Sequence, residues 1–261
     1  MTTTPRVESI VLRLMTPLEQ CVMVLPGKID TANLEFLERD HFDNAPVSGV
    51  AGVIPTSYLR TLLVADRPLS ADDPAINGTV LSSAAGIREM LEMVARHNAV
   101  LVSDNGALAG LLTLSDFNKH PLRSLLYASL ANLEIDLAEA IARICPDPWD
   151  WIPRLAEEHQ VHVVGYWEIT KKKNIDIGAL AACTLTYLIR IVCAHDEVRQ
   201  QFKFKSRKSA EEICNSLPAL RNKVMHPVRP LIGKSEEIAG LVSSIEKLNR
   251  LIALVPRKPH S

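Results

Sequence analysis

The first 120 positions alternate between two textures of apolar and polar residues. Val50-Ala51-Gly52-Val53-Ile54 and Ala99-Val100-Leu101-Val102 are short apolar runs rich in β-branched side chains, and they predict strands. Ser103-Asp104-Asn105-Gly106 is a hairpin-type turn, and Ala107–Leu112 supplies the returning strand. Helical spacing appears over Thr31–Asp40 and over Ala84–His97, where Ile87, Met90, Leu91 and Val94 share one face. Between them Asp66–Gly78, rich in Pro and Asp, predicts a loop.

From Pro121 the pattern becomes that of long helices. Leu122–Ile144 holds apolar residues at helical spacing and stops at Cys145-Pro146-Asp147-Pro148, where two prolines cannot continue it. A short helix over Trp149–His159, an irregular stretch over His162–Asn174 and a long apolar helix over Ile175–Gln201 are expected next. Ser206–His226 and Ser235–Val255 supply the last helices. The expectation is an α+β chain: a mixed α/β domain over 1–120, then an all-α bundle over 121–261.

Composition narrows the function classes. At 261 residues the chain has room for two ordinary cores, and its net charge of −1 is near zero. The charge is divided, however: residues 1–120 hold 9 Lys and Arg against 14 Asp and Glu, whereas 121–261 hold 20 against 16. The second half is therefore the better partner for an anion. Five scattered cysteines without a C-x-x-C pair predict small buried apolar residues in a reduced compartment, and no zinc site is expected. Met1–Arg6 shows no secretory pattern. Thr184, Thr186 and Arg190 interrupt the greasiest stretch, about 177–194, which reads as a buried helix and not a membrane span. A cytoplasmic protein without membrane contact is expected.

Two motifs carry chemistry. In Gly110-Leu111-Leu112-Thr113-Leu114-Ser115-Asp116-Phe117 a strand gives way to a helix. A hydroxyl and free amides at such a junction suit phosphate, and a carboxylate three residues on suits ribose hydroxyls. The plainer reading is that Ser115 or Asp116 only caps the next helix. The stretch resembles the CBS-domain family, whose units end in G-h-h-[ST]-x-x-[DN], where h is apolar. Residues 80–120 fit one unit. A weaker one covers 12–65, with Leu14-Met15-Thr16-Pro17, Asn44-Ala45-Pro46-Val47 and Gly52–Leu59 at the corresponding places. There Pro55 replaces the Ser/Thr and Tyr58 the Asp, and the strand-turn-strand is shortened. The resemblance implies a pseudo-twofold pair with two clefts for adenosine-containing ligands (AMP, ADP or ATP), of which one keeps its contacts. Thr113 would meet phosphate, Asp116 ribose, and Gly110 would permit close approach.

The second motif is Arg221-Asn222-Lys223-Val224-Met225-His226-Pro227. Ser216 can cap its helix and Pro227 limits it. At ~100° per residue, Leu217, Leu220 and Val224 share a face, and Asn222 and His226 lie on the opposite one with Arg221 on the flank. Surface pairing of Arg221 with Glu211, Glu212 or another carboxylate is the plain alternative. The stretch resembles the HEPN superfamily of small helical domains, marked by R-x(4–6)-H. That resemblance implies a homodimer acting as a metal-independent endoribonuclease, with no cofactor for catalysis. His226 would move protons, Arg221 stabilise the phosphorane and Asn222 orient the reacting groups. A defence or toxin role fits such domains.

Gln201-Phe202-Lys203-Phe204-Lys205-Ser206-Arg207-Lys208 alternates aromatic and basic residues, as an RNA-stacking strip or as a short edge strand or solvated loop. Lys171-Lys172-Lys173 reads as a solvated turn, and Trp149, Trp151 and Trp167 as packing anchors. The combined expectation is an RNA-cleaving protein regulated by a bound adenine nucleotide. The alternative is a dimeric module that senses nucleotide and binds RNA or protein without chemistry.

Overall fold

The computed structural model describes residues 9–175 and 178–256. The N-terminal Met1–Arg6 stretch and the Asp176-Ile177 part of the expected long helix lie outside them. An N-terminal mixed α/β region is followed by helices, in two compact units. The first holds the described residues up to Arg123 together with Pro230–Val242. The second holds Ser124–Arg229 and the described residues from Ser243 onward.

The first unit is built from α1 (Ile10–Leu14), β1 (Thr16–Pro17), α2 (Thr31–Arg39), β2 (Asn44–Pro46), β3 (Val53–Pro55), α3 (Thr56–Val64), β4 (Val80–Ser82), α4 (Ile87–His97), β5 (Ala99–Asp104) and β6 (Ala107–Thr113). Asp30 caps α2 by accepting from the Ala32 and Asn33 amides at 2.9 and 3.4 Å. Met90, Leu91 and Val94 form the buried stripe of α4. Asn98 ends that helix at φ 61°, a backbone that Asn tolerates better than most residues. Asn105 and Gly106, at φ 50° and 83°, make the two-residue turn between β5 and β6. Ala99, Val100, Leu101 and Val102 are all at most 1% exposed, as expected of a strand paired on both sides and covered on both faces.

Strand pairing reveals an internal pseudo-symmetry. In the four-stranded sheet β4 runs parallel to β5, β5 antiparallel to β6, and β6 antiparallel to β1. The same succession recurs around the β2–β3 ladder. Val24 bridges parallel to Val47, β2 runs antiparallel to β3, and Val53 bridges antiparallel to Asn77. Each repeat thus lends its leading segment to the other's sheet edge. Two glycines permit the exchange. A Cβ on Gly110 would stand 2.6 Å from the Thr16 carbonyl oxygen and from Met15 Sδ, and one on Gly52 would meet Ile76 and the Asn77 carbonyl. The paired repeat implied by the CBS resemblance is therefore present in the connectivity.

In the second unit α5 (His120–Ile144) buries Leu126, Leu130, Leu133, Leu137 and Ile141 at steps of three and four residues. Beyond α5 the layout departs from the expected one. Pro153 ends α6 (Pro148–Trp151) in a 3-10 turn, and α7 (Glu157–Lys172) replaces both the short helix and the irregular stretch. Glu157 and Glu158 in its first turn, and Lys171 and Lys172 in its last, suit the helix dipole. Its apolar Val161, Tyr166 and Ile169 are exposed, so no single apolar face announces it.

The long apolar helix is likewise divided into a 3-10 turn, α8 (Leu185–Ala194) and α9 (Asp196–Gln201). His195 makes the last break by turning extended and accepting the Val198 amide on Nδ1 at 3.5 Å. Ser206–His226 becomes α10 (Arg207–Cys214) and α11 (Leu217–Met225), parted at Asn215-Ser216. The Ser216 hydroxyl is buried and makes no hydrogen bond among the described residues. The last helix, α12 (Ile238–Leu254), contributes Leu248 and Leu251 to this unit's core. Among the described residues no helix is long and apolar enough to cross a membrane.

Candidate functional site

Thr113 ends β6 in extended geometry, and the chain turns at once into a 3-10 helix over Leu114–Asn118. Asp116 lies in that turn, 3% exposed. Its Oδ2 accepts the Thr113 amide at 2.6 Å and the Thr113 hydroxyl at 3.0 Å. Its Oδ1 meets Lys119 Nζ at 2.6 Å and the Thr16 hydroxyl at 3.4 Å. A carboxylate has about four acceptor positions, and all are taken. The arrangement has the economy of a cap, with the carboxylate holding the strand end, the turn and β1 together.

These residues border a cavity of about 730 Å3, within the usual range of about 300–1,000 Å3 for a small-molecule site. It lies wholly in the first unit. Thr16, Thr113, Ser115 and Asp116 form one side, and Asn44 and Pro55 bring in the ends of β2 and β3. Phe36 and Phe42 line it as a stacked pair, ring centroids 6.1 Å apart and planes at 22°. Ile232, Gly233 and Ser235 complete the wall from a segment more than a hundred residues away in sequence. Asn118 fastens that segment. Its Oδ1 accepts from the Leu231 and Ile232 amides at 2.6 and 3.0 Å, and its Nδ2 donates to the Ile232 carbonyl at 2.9 Å.

Gly110 does not border the cavity; its missing side chain makes room for Met15 and Thr16. At the matching place in the first repeat, Tyr58 donates its hydroxyl to Asp73 at 3.3 Å, and that carboxylate pushes the phenol pKa up. Cys21, also on the wall, has its thiol pKa raised by burial and by Asp116 and Glu19. No local motif marks Phe36, Phe42 or Asn118, because their roles arise only when the loops after α2 and α11 converge. The amides Gln20 and Asn98 are equally silent in sequence, whereas Asn44 opens the Asn44–Val47 stretch of the weaker repeat.

In the second unit α11 carries Arg221, Asn222 and, at its C-terminal boundary, His226. Arg221 is half-buried and its Nε lies 3.4 Å from Glu134 Oε1 on α5. Asn222 and His226 are exposed. Glu211 is instead the partner of Arg207, at 2.7 Å. Phe202 and Phe204 are 0% and 7% exposed, so the aromatic half of the expected stacking strip belongs to the core. Trp151 is buried as an anchor, whereas Trp149 is exposed and Trp167 carries Lys171 over its ring at 3.5 Å. His195 Nε2 sits 3.5 Å from Cys145 Sγ, but burial and the nearby Glu197 and Asp150 push that thiol's pKa up, against any nucleophilic use. Among the described residues no group of three His, Cys, Asp or Glu is placed to hold a metal ion.

The first unit is thus a paired α/β repeat with a cavity of small-molecule size. Among solved structures the chain is similar to a CBS domain-containing protein of unknown function from Bacillus anthracis str. Ames Ancestor, at 20% identity and TM-score 0.34. That match covers 44% of this chain and 91% of the other. It is also similar to CBSX2 in complex with AMP, at 19% identity and TM-score 0.34, covering 44% of this chain and 95% of that one. No protein-family model matches the chain, and no curated protein matches it.

Proposed function

We propose that the first unit is an adenine-nucleotide-sensing pair with one working cleft, and that the chain acts as a dimeric binding module. The observation that carries this is the 730 Å3 cavity with Thr113 and Asp116 on its wall. It opens beside the very motif on which the CBS resemblance rests. The matching positions of the first repeat offer no second hydroxyl and carboxylate, since Pro55 borders this same cavity and Tyr58 is bonded to Asp73. Calorimetric titration with AMP tests the reading directly. Saturable binding that is weakened at least about tenfold by Ser115→Trp, a cavity-filling change at an exposed wall position, supports it. A folded protein that takes up no adenosine-containing ligand refutes it.

A second reading concerns the second unit, as a HEPN-type ribonuclease. The exposure of Asn222 and His226 at the end of α11 favours it, since a phosphodiester could reach both. The residue set is metal-free: His226 as general acid or base, Arg221 as charge stabiliser, Asn222 as orienter. Cleavage of mixed-sequence RNA in excess EDTA, lost in His226→Ala, is the result this reading requires. Sedimentation of the same samples tests the dimer.

A further inference from the structure

The charge around the cavity discriminates among adenosine-containing ligands. Asp43 and Asp116 bring two carboxylates to its wall. Among the described lining residues His41 is the only one able to carry positive charge, and no lysine or arginine is among them. Lys119 lies behind the wall, but an ammonium has three donors. All three are spent, on Asp116 Oδ1 at 2.6 Å, the Leu14 carbonyl at 2.8 Å and the Thr16 hydroxyl at 3.3 Å. The Thr113 amide, which a bound phosphate would want, already donates to the Asp116 carboxylate at 2.6 Å. Asp116 stands where an anion would stand.

The rest of the wall suits an uncharged planar group. Phe36 and Phe42 are 37% and 49% exposed; the Arg39 guanidinium lies 5.0 Å over the Phe36 ring, so Phe42 offers the more open face for stacking. The side-chain amides of Gln20, Asn44 and Asn98 border the cavity and make no hydrogen bond among the described residues. A carboxamide offers a donor and an acceptor side by side, the complement of a purine edge.

Resting on the nucleotide reading above, we infer that this cavity selects a nucleoside or nucleoside monophosphate, with its base on Phe36 and Phe42, and disfavours di- and triphosphates. Each further phosphate adds negative charge opposite Asp43, and the nearby cations Lys119 and Arg39 are already paired with Asp116 and Asp40 at 2.6 and 3.1 Å. Such a phosphate would have to shed water without gaining a charged donor in return.

The test is calorimetric titration of the whole chain with adenosine, AMP, ADP and ATP, at physiological salt and without divalent cations. Adenosine and AMP should bind within about tenfold of one another, and ATP at least about tenfold more weakly. Phe42→Ala should weaken adenosine about tenfold, the effect of losing one base–aromatic stack. Asp43→Asn should improve ATP more than adenosine. Circular dichroism verifies that both variants are folded, and because both positions are exposed, neither change removes core packing. ATP binding as tightly as adenosine, with both sensitive to Phe42→Ala, overturns the charge selection and leaves the nucleotide reading standing. Adenosine binding indifferent to Phe42→Ala overturns the base position. If none of the four binds the folded wild-type chain, this inference and the nucleotide reading fall together.

Discussion

Arg221 Nε lies 3.4 Å from Glu134 Oε1, tying the R-N-x-x-x-H helix to α5 through side chains that are 33% and 29% exposed. That Glu134 oxygen is buried and makes no hydrogen bond, so the guanidinium is its electrostatic compensation. The pair should be asymmetric. Arg221→Met strands a partly buried carboxylate and should cost about 1–3 kcal/mol in urea unfolding. Glu134→Gln leaves a guanidinium able to turn toward water and should cost less, about 1 kcal/mol or under. Equal losses from the two changes would show that the pair is a surface contact of little consequence.

The motif most suggestive of chemistry is therefore partly occupied by structure, and the reason its sequence hides this is geometric. Helical spacing places Arg221 on the flank of an apolar stripe, but nothing local to residues 217–227 names the partner on α5. The first unit is more legible. Its β5–β6 hairpin and α4 arise from runs, a turn and a periodic stripe that all lie within a few residues of one another. The exchanged edges at Thr16 and Asn77 are bridges of one or two residues, too short to leave a pattern. Similarly α7 is hidden because its exposed Val161, Tyr166 and Ile169 erase the polar face by which a helix is recognised. The cavity's aromatic pair and its Leu231–Ser235 wall depend on long-range convergence, and no window along the chain contains them.

The two exchange glycines should differ in their tolerance of alanine. At Gly110 the new Cβ meets the Thr16 backbone oxygen at 2.6 Å, and a paired backbone cannot step aside. At Gly52 the closest obstacle is the Ile76 Cγ2 methyl, a side-chain group that can yield by a change of χ1, and the Asn77 carbonyl stands back at 3.3 Å. Gly110→Ala should cost about 2–3 kcal/mol by overpacking, and Gly52→Ala about 1 kcal/mol. Thermal unfolding of the two variants side by side decides it, and the reverse order would mean that the β1 edge is the softer one.

Alkaline pH should loosen the second unit through Cys183, whose thiol pKa burial pushes up from 9.0 to about 12. The folded state holds this proton more tightly than the unfolded state. Its contribution is complete below about pH 9 and is lost as pH rises toward 12, at about 1 kcal/mol per unit. Stability measured by urea should fall between about pH 9 and 10.5, and Cys183→Ser should lessen that slope by about 1 kcal/mol per unit. An unchanged slope in the variant would assign the alkaline loss to other groups.

Asn118 provides the last and most site-directed prediction, because one side chain holds a distant segment against the cavity. Leu231 and Ile232 are each 1% exposed, and their amides both donate to Asn118 Oδ1. Asn118→Ala removes two acceptor contacts and one donor at once, at about 1 kcal/mol each. Hydrogen exchange at the Leu231 and Ile232 amides should quicken by at least about tenfold, while exchange in β5 stays as it was. Asn118→Asp keeps both acceptor contacts but turns a carboxylate oxygen toward the Ile232 carbonyl, so its amides should stay better protected than in the alanine variant. Since Ile232, Gly233 and Ser235 line the cavity, adenosine affinity should fall in the alanine variant and largely survive in the aspartate one. Exchange at both amides unchanged by Asn118→Ala would mean that Leu231 and Ile232 are held by their own burial and that the clamp is incidental.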